Sequence, residues 1–331
     1  MRLLQWDDNG KFSLIERIGN DIPRYVILSH TWGADGDEVT FQDLMSGGGQ
    51  DKPGYRKVHF CAEQAAKDGL RYSWIDTCCI DKSSSTELQE AINSMFHWYQ
   101  KAERCCVYLS DVSRGSLDGD ELSSSRWKLA FRNSKWFTRG WTLQELIAPA
   151  SVEFFSCEGA YLGDKRSMEQ TIQDITGIAV DALRGKPLTQ FKIDERFMWA
   201  ESRKTRLEED EVYCLLGIFN IFMPLLYGEG RENTLRRLQK EIQETLGEEV
   251  SSLGEKEKRI LLDSLRFEQI DGRYMNIKTA HAKTCTWLLH KSEYLDWLDN
   301  TKLSEHHGFL WIKGKPGIGK STLIKFAFAN A

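Results

Sequence analysis

Apolar and polar positions in the first half of the chain follow two alternating periods. Tyr25–Ser29 (YVILS) is a short apolar run with β-branched residues, ending in the polar turn SHTWGADGD, and it reads as a strand. Tyr55–Asp68 places Val58, Cys61, Ala62, Ala65 and Ala66 at helical spacing, and Gly69 stops it. Arg71–Asp76 (RYSWID) predicts a second strand. Leu88, Ala91, Ile92, Met95, Phe96 and Tyr99 then mark one face of a helix, preceded by Ser84 and Glu87 in capping-box spacing. Cys105–Leu109 (CCVYL) is the third predicted strand, followed by a polar stretch. A helix around Leu143–Ile147 is stopped by Pro149, and Val152–Phe155 is the fourth strand. This strand-helix alternation predicts an α/β fold with a doubly wound parallel sheet. Ligands in such sheets sit beyond the carboxyl ends of the strands, where Ser29-His30, Asp76 and Ser110-Asp111 fall.

From Gly177 to Leu246 the pattern is helical, broken at Met223-Pro224 and at the loop Tyr227–Gly230. Leu235, Leu238, Ile242 and Leu246 give the last helix one apolar face. The segment GEEVSSLGEKEKR is charged and short of large apolar groups, so residues 246–259 read as a linker between a domain over 1–245 and a second over 260–331.

Composition narrows the classes. The 331 residues are 28% charged and 11% aromatic with only 6 prolines, which excludes disorder and collagen. The net charge of −5 argues against a general nucleic-acid binder. No apolar run approaches the roughly 20 residues of a membrane span, and the start lacks the apolar core of a signal peptide. The adjacent pairs Cys78-Cys79 and Cys105-Cys106 lie in apolar runs, and no C-x-x-C occurs. They read as small buried hydrophobes of a reducing compartment, which predicts a cytoplasmic protein and leaves zinc as a remote alternative.

Near the end, His307–Ile312 (HGFLWI) predicts a strand before Gly314-Lys315-Pro316-Gly317-Ile318-Gly319-Lys320-Ser321, and the apolar run Thr322–Ala329 predicts a helix after it. This is the phosphate-loop pattern G-x-x-x-x-G-K-[ST] in its strand-to-helix context. Gly314, Gly317, Gly319, Lys320, Ser321 and Thr322 would cradle the phosphates of ATP or GTP, with Ser321 on Mg²⁺. The alternative is a glycine-rich turn before a helix. Too few residues follow the loop to complete a P-loop domain, so the expectation is the first strand and helix of a P-loop NTPase, from a longer protein, with no hydrolysis by this chain.

Three blocks remain: Leu28-Ser29-His30-Thr31-Trp32-Gly33, Trp74–Ile80 (WIDTCCI) and Arg139–Leu146 (RGWTLQEL). In this order they resemble the signature blocks of the HET domain of fungal heterokaryon-incompatibility proteins. The stretch from Arg196 to Ile242 also resembles its C-terminal portion, so the likeness covers roughly 1–245. The remainder resembles the opening of a NACHT module of fungal NOD-like (STAND) proteins. HET domains are similar to TIR domains, and Trp141-x-x-x-Glu145-Leu146 is similar to the segment that carries the catalytic glutamate of NAD-cleaving TIR domains. The chain departs from that pattern in having Thr142 in place of cysteine and an insertion over roughly Asp111–Lys135.

The resemblance implies a TIR-like, flavodoxin-like sheet with a helical C-terminal extension, acting as a cell-death effector in non-self recognition. NAD would be the substrate and Glu145 the catalytic residue. The nicotinamide leaving group departs neutral and needs no general acid, so one carboxylate could stabilise the oxocarbenium-like state. Ser29, His30, Trp32, Gly33, Asp76 and Trp141 are the candidate substrate-binding residues. Five of the singled-out residues have a plainer role open to them: Trp141 and Trp74 as core aromatics, His30 as a structural hydrogen-bonding group, Asp76 as a cap, Glu145 as a first-turn glutamate facing the helix dipole. The implied partners are further copies of the chain, through both modules, together with a C-terminal sensor and its non-self protein ligand. The competing class is a non-enzymatic homotypic module that recruits a separate killer.

Overall fold

The computed structural model describes residues 1–7, 10–17, 21–115, 121–252, 285–299, 302, 310, 312–313, 315 and 319–328, with backbone alone for 121–125, 246–252 and 328. It divides into two compact units, Met1–Leu246 and Gly247–Ala331.

The first unit is built on strands β1 (Arg2–Trp6), β2 (Phe12–Glu16), β3 (Val26–His30), β4 (Tyr72–Trp74), β5 (Arg104–Tyr108), β6 (Val152–Phe155) and β7 (Tyr161–Asp164). They form one sheet in the order β2-β1-β4-β3-β5-β6-β7. The four expected strands are its centre, and β3 is parallel to β4 and β5, as β5 is to β6. The sheet is mixed rather than purely parallel, because the β1–β2 hairpin is antiparallel along one edge and β7 along the other. These edge strands were not expected. β2 and β7 are partly exposed and lack the continuous apolar run of a strand covered on both faces.

Both faces of the centre are covered. Successive side chains of a strand point to opposite faces, and Phe154 and Phe155 of β6 show where each face leads. Phe155 meets Phe60 of the helix Tyr55–Lys67, while Phe154 meets Phe131, Trp136 and Phe137. Trp74, Trp136 and Trp199 are among the largest fully buried side chains. Trp74 packs on Trp98 and Tyr99 of the helix Ser85–Lys101, so of its two possible roles it takes the core one. The cysteines are free, and all are buried except the half-buried Cys157.

Only half of the expected capping box forms. Ser84 accepts from the Glu87 amide, but the Glu87 carboxylate is drawn away to the Asp81 amide at 2.8 Å and to Arg2. A complete box caps the helix Phe41–Ser46 instead, between Thr40 and Asp43. The helical extension begins at Glu169, before the expected Gly177, and ends in a helix from Arg231 to Ser252. That helix runs into the expected linker, whose glutamates are compatible with it.

In the second unit, helices Ser292–Leu298 and Lys320–Phe328 are described, and Tyr294 joins them by donating its hydroxyl to Ala327 O at 3.0 Å. Of the expected strand His307–Ile312 only Leu310 and Ile312 are described, and Gly314 and Gly317 lie outside the described residues. Among the described residues no helix is long and apolar enough to cross a membrane.

The extension grips the sheet domain through a close approach at Gly217. A Cβ there would lie 2.1 Å from Phe96 Cβ. Gly217→Ala is therefore expected to destabilise the first unit by roughly 1–3 kcal/mol through overpacking. Gly48→Ala, whose Cβ meets nothing closer than 3.6 Å, should leave the urea midpoint almost unchanged; equal midpoints for both variants would contradict the packing described.

Candidate functional site

The parallel strands occur in space as second, first, third and fourth in chain order, with β3 and β5 adjacent at the middle. Sheets of this order bind ligands beside that junction. The register across it sorts the candidate side chains. Ser29 pairs with Val107, and Val107 with Phe154, so Ser29 shares the face of Phe154 and Trp136. His30 pairs with Tyr108, and Tyr108 with Phe155, on the face of the helix Tyr55–Lys67. Two consecutive residues of β3 thus supply two different polar clusters.

On the first face lies Glu145, in the short helix Thr142–Ile147 and only 8% exposed. The wholly buried Ser29 hydroxyl donates to its Oε2, and Trp136 Nε1 donates to Ser29 Oγ at 2.8 Å. Tyr99, which donates to Leu28 O at 3.0 Å, is a further hydrogen-bonding neighbour of the Glu145 carboxyl. Burial pushes Glu145 up to about 7, and the nearby Asp76 charge adds to the rise, against the lowering effects of Ser29, Arg139 and Tyr99. Trp141 precedes the helix four residues before Glu145, on the same helical face, half-buried and packed on the core.

On the second face His30 Nε2 lies 3.1 Å from Asp76 Oδ1, while its buried Nδ1 has no hydrogen-bond partner among the described residues and is 3.8 Å from Glu38 Oε2. Asp76 Oδ2 accepts from Trp32 Nε1 at 3.1 Å and from Lys82 Nζ at 3.3 Å. Burial opposes ionisation of Asp76, but Lys82 and the hydrogen bond from His30 outweigh it and hold the carboxyl well below the usual range. Trp32 is 39% exposed, with Lys82 Nζ 3.8 Å and the Arg139 guanidinium 5.4 Å from its ring centroid. The Gly33 amide donates to Glu38 Oε1 at 2.8 Å, and a Cβ at Gly33 would lie 2.6 Å from Asp37 Oδ2.

The structure thus groups Ser29 with Glu145, and His30 with Trp32 and Asp76, and places Trp141 on the Glu145 helix. Trp136, Tyr99, Lys82, Arg139 and Arg203 join them without having been singled out. Lys82 and Arg139 flank or open the sequence blocks, a usable signal, whereas Tyr99 is indistinguishable in sequence from the apolar face of its helix. Arg203 comes from the extension. It donates to Thr142 Oγ1 at 2.9 Å and to Arg139 O at 3.0 Å, and the Gly140 amide donates to Lys204 O at 2.9 Å. The Thr142 hydroxyl is also within 2.6 Å of Trp136 O, so the threonine found in place of cysteine ties three segments together. Among the described residues no group of three or more His, Cys, Asp or Glu side chains could hold a metal ion.

In the second unit Gly319 has φ +90, a conformation that favours glycine, and Lys320 opens the helix that follows. Lys320 Nζ donates to Lys315 O at 2.8 Å.

Comparison with known proteins agrees with the first two sequence blocks. The family described as heterokaryon incompatibility protein (HET) matches residues 25–125, so the chain carries this domain, and the family described as nephrocystin 3, N-terminal, matches residues 283–330. The chain is similar to vegetative incompatibility protein HET-E-1 of Podospora anserina, 48% identical over 325 residues, or 98% of this chain and 23% of that protein. It therefore spans about a quarter of the length of this relative. No solved structure matches the chain.

The burial of Glu145 makes a prediction about stability. Its carboxyl is raised from 4.5 to about 7 on folding, so between these values the folded state binds more protons than the unfolded one and stability falls as pH rises. The loss is on the order of 3 kcal/mol. Glu145→Gln keeps an acceptor for Ser29 and removes the charge. It should be more stable than the parent at pH 8 by up to that amount, and nearly equal to it at pH 5; urea unfolding at the two pH values measures this. A variant less stable than the parent at pH 8 would contradict the assignment.

Proposed function

We propose that the first unit is the effector of a vegetative (heterokaryon) incompatibility protein and that it cleaves NAD at the nicotinamide-ribose bond when several copies are brought together. The observation that carries this reading is the buried Glu145, held by Ser29 at the carboxyl end of β3 and pushed up to about 7. A carboxylate stripped of water is destabilised as an anion, and an arriving cation relieves it more strongly than a solvated carboxylate would. NAD bears a cationic nicotinamide, and bond breakage moves that charge onto the ribose. Glu145 would stabilise the oxocarbenium-like state, and its conformation would be fixed by Ser29, Trp136 and Tyr99.

The remaining roles follow from placement. Trp32 and Trp141 would meet flat rings, Lys82 and Arg139 the diphosphate, and Asp76 with His30 would hold the Trp32 loop and its cation in place. The TIR-like reading of the fold is supported by the strand order, by helices on both faces and by Trp141-x-x-x-Glu145 at the edge where ligands bind. In the second unit, Gly319 at positive φ with Lys320 and Ser321 opening a helix supports a phosphate site for ATP or GTP, with Mg²⁺ on Ser321. Nucleotide binding there, in a longer protein with a sensor for a non-self ligand, would drive the clustering.

Glu145 is only 8% exposed and Ser29 is wholly buried, so a ribose reaches the carboxylate only after its cover moves. This fits a domain that is silent until clustered. The same closure favours the second reading, a non-enzymatic interaction module in which Glu145 is structural.

Purified chain, alone or clustered on a multivalent support, is incubated with NAD and nicotinamide release is followed. Clustering is expected to raise release by at least tenfold, with the rate increasing with pH through about 7 as Glu145 ionises. Glu145→Gln should lower release by about a hundredfold or more. Clustered chain with no nicotinamide release, whose Glu145→Gln form still kills cells, establishes the interaction module instead.

A further inference from the structure

A cavity that Glu145 does not line lies within the first unit, between the helix Ser85–Lys101, the end of the Glu145 helix at Ile147 with the turn Ala148–Ala150, and the segment Gly185–Thr189. Its volume is about 880 Å³, within the range of small-molecule sites. The chain as a whole is acidic, at −5, yet among the described residues every ionisable side chain lining this cavity is basic: His97, Lys165, Arg184, Lys186 and Arg196. Arg184 and Lys186 are answered by Glu169 and Asp181.

Lys165 and Arg196 are not answered. They are 6% and 8% exposed, and no carboxylate among the described residues pairs with either. Lys165 Nζ donates to two carbonyls, Leu146 O at 3.2 Å and Pro149 O at 2.5 Å. Arg196 Nη1 donates to Ile218 O at 3.2 Å, its guanidinium lies 4.5 Å from the centroid of the Phe219 ring, and its buried Nε has no partner among the described residues. Carbonyl dipoles and an aromatic face solvate a cation without neutralising it, and a buried uncompensated charge is costly. Burial accordingly pulls Lys165 down to about 8. The rest of the lining includes Phe96, Phe219 and Phe222, and Phe222 is 68% exposed.

We propose that this cavity binds a small organic anion, with an apolar or aromatic body against the phenylalanines and a phosphate or carboxylate between Lys165 and Arg196. A charged head completes the two cations, and an apolar body of that size fills the volume beside them. Neither half alone satisfies the cavity, so a free inorganic anion and a neutral hydrophobe should both bind poorly.

Calorimetry on the full chain tests this with AMP and decanoate as the two head groups, and adenosine, decanol and inorganic phosphate as their incomplete counterparts. At least one of the two anions should bind, at least tenfold more tightly than its neutral counterpart and than phosphate. Phe222→Asp puts a negative charge on an exposed side chain of the lining with no buried contact at risk, and should weaken binding at least tenfold, as should Lys165→Met. Glu145→Gln and Lys320→Ala, at the other candidate nucleotide sites, should leave it intact. The proposal fails if neither anion binds, if a neutral counterpart or phosphate binds as tightly, if Phe222→Asp binds like the parent, or if binding is lost with Glu145→Gln or Lys320→Ala.

Discussion

A carboxylate kept out of water is the constraint around which the first unit is arranged. Desolvating an ionised glutamate costs several kcal/mol unless donors replace the solvent, and at Glu145 the replacement is incomplete. Ser29 donates to it, Trp136 fixes Ser29, and Tyr99 stands beside it, but no cation pairs with it directly among the described residues. A core assembled for stability alone would place an apolar residue here, next to Leu143 and Leu146. That the position carries an acid, with three polar side chains fitted to it, makes sense if the acid meets something the isolated chain does not contain.

Strand alternation explains how one short segment serves two clusters. Ser29 and His30 are neighbours, so one faces the helix of Glu145 and the other faces Asp76 and Glu38. The two clusters are electrically opposed. Asp76 is ionised and held by Lys82 and His30, and its charge helps keep Glu145 protonated. A ligand cation at Glu145 and an anion at Lys82 and Arg139 would each meet a complementary partner, which is the charge distribution of a dinucleotide that is cationic at one ring and anionic at its diphosphate.

The central strands, the helices between them and the edge where polar residues collect were legible because continuous apolar runs and helical spacing are strong signals in a sheet covered on both faces. The edge strands were not, since β2 and β7 are half exposed and too short to show a clean period. The Ser29, His30, Asp76 and Glu145 positions could be read from three sequence blocks. Their grouping into two clusters could not, because it depends on register, and register is fixed by packing rather than by any local sequence. Tyr99 and Trp136 escaped for a related reason: an aromatic on an apolar face carries no mark that its polar tip is used. Glu87 shows the converse, a correct capping pattern whose carboxylate is taken by Arg2 and the Asp81 amide.

The match to the HET family ends at residue 125, yet the cluster around Glu145 is closed by residues far beyond it. Arg203 bonds Thr142 and the Arg139 carbonyl, Lys204 pairs with the Gly140 turn, and a Cβ on Gly140 would lie 2.4 Å from Thr205 Cγ2. The turn that aims the Glu145 helix is therefore set between the sheet on one side and the extension on the other. A sheet domain without the extension would keep its strands and lose the orientation of its acid. The helical segment is for this reason part of the candidate site rather than a spacer, because Arg203 and Thr142 bond it directly to the short helix that carries the carboxylate.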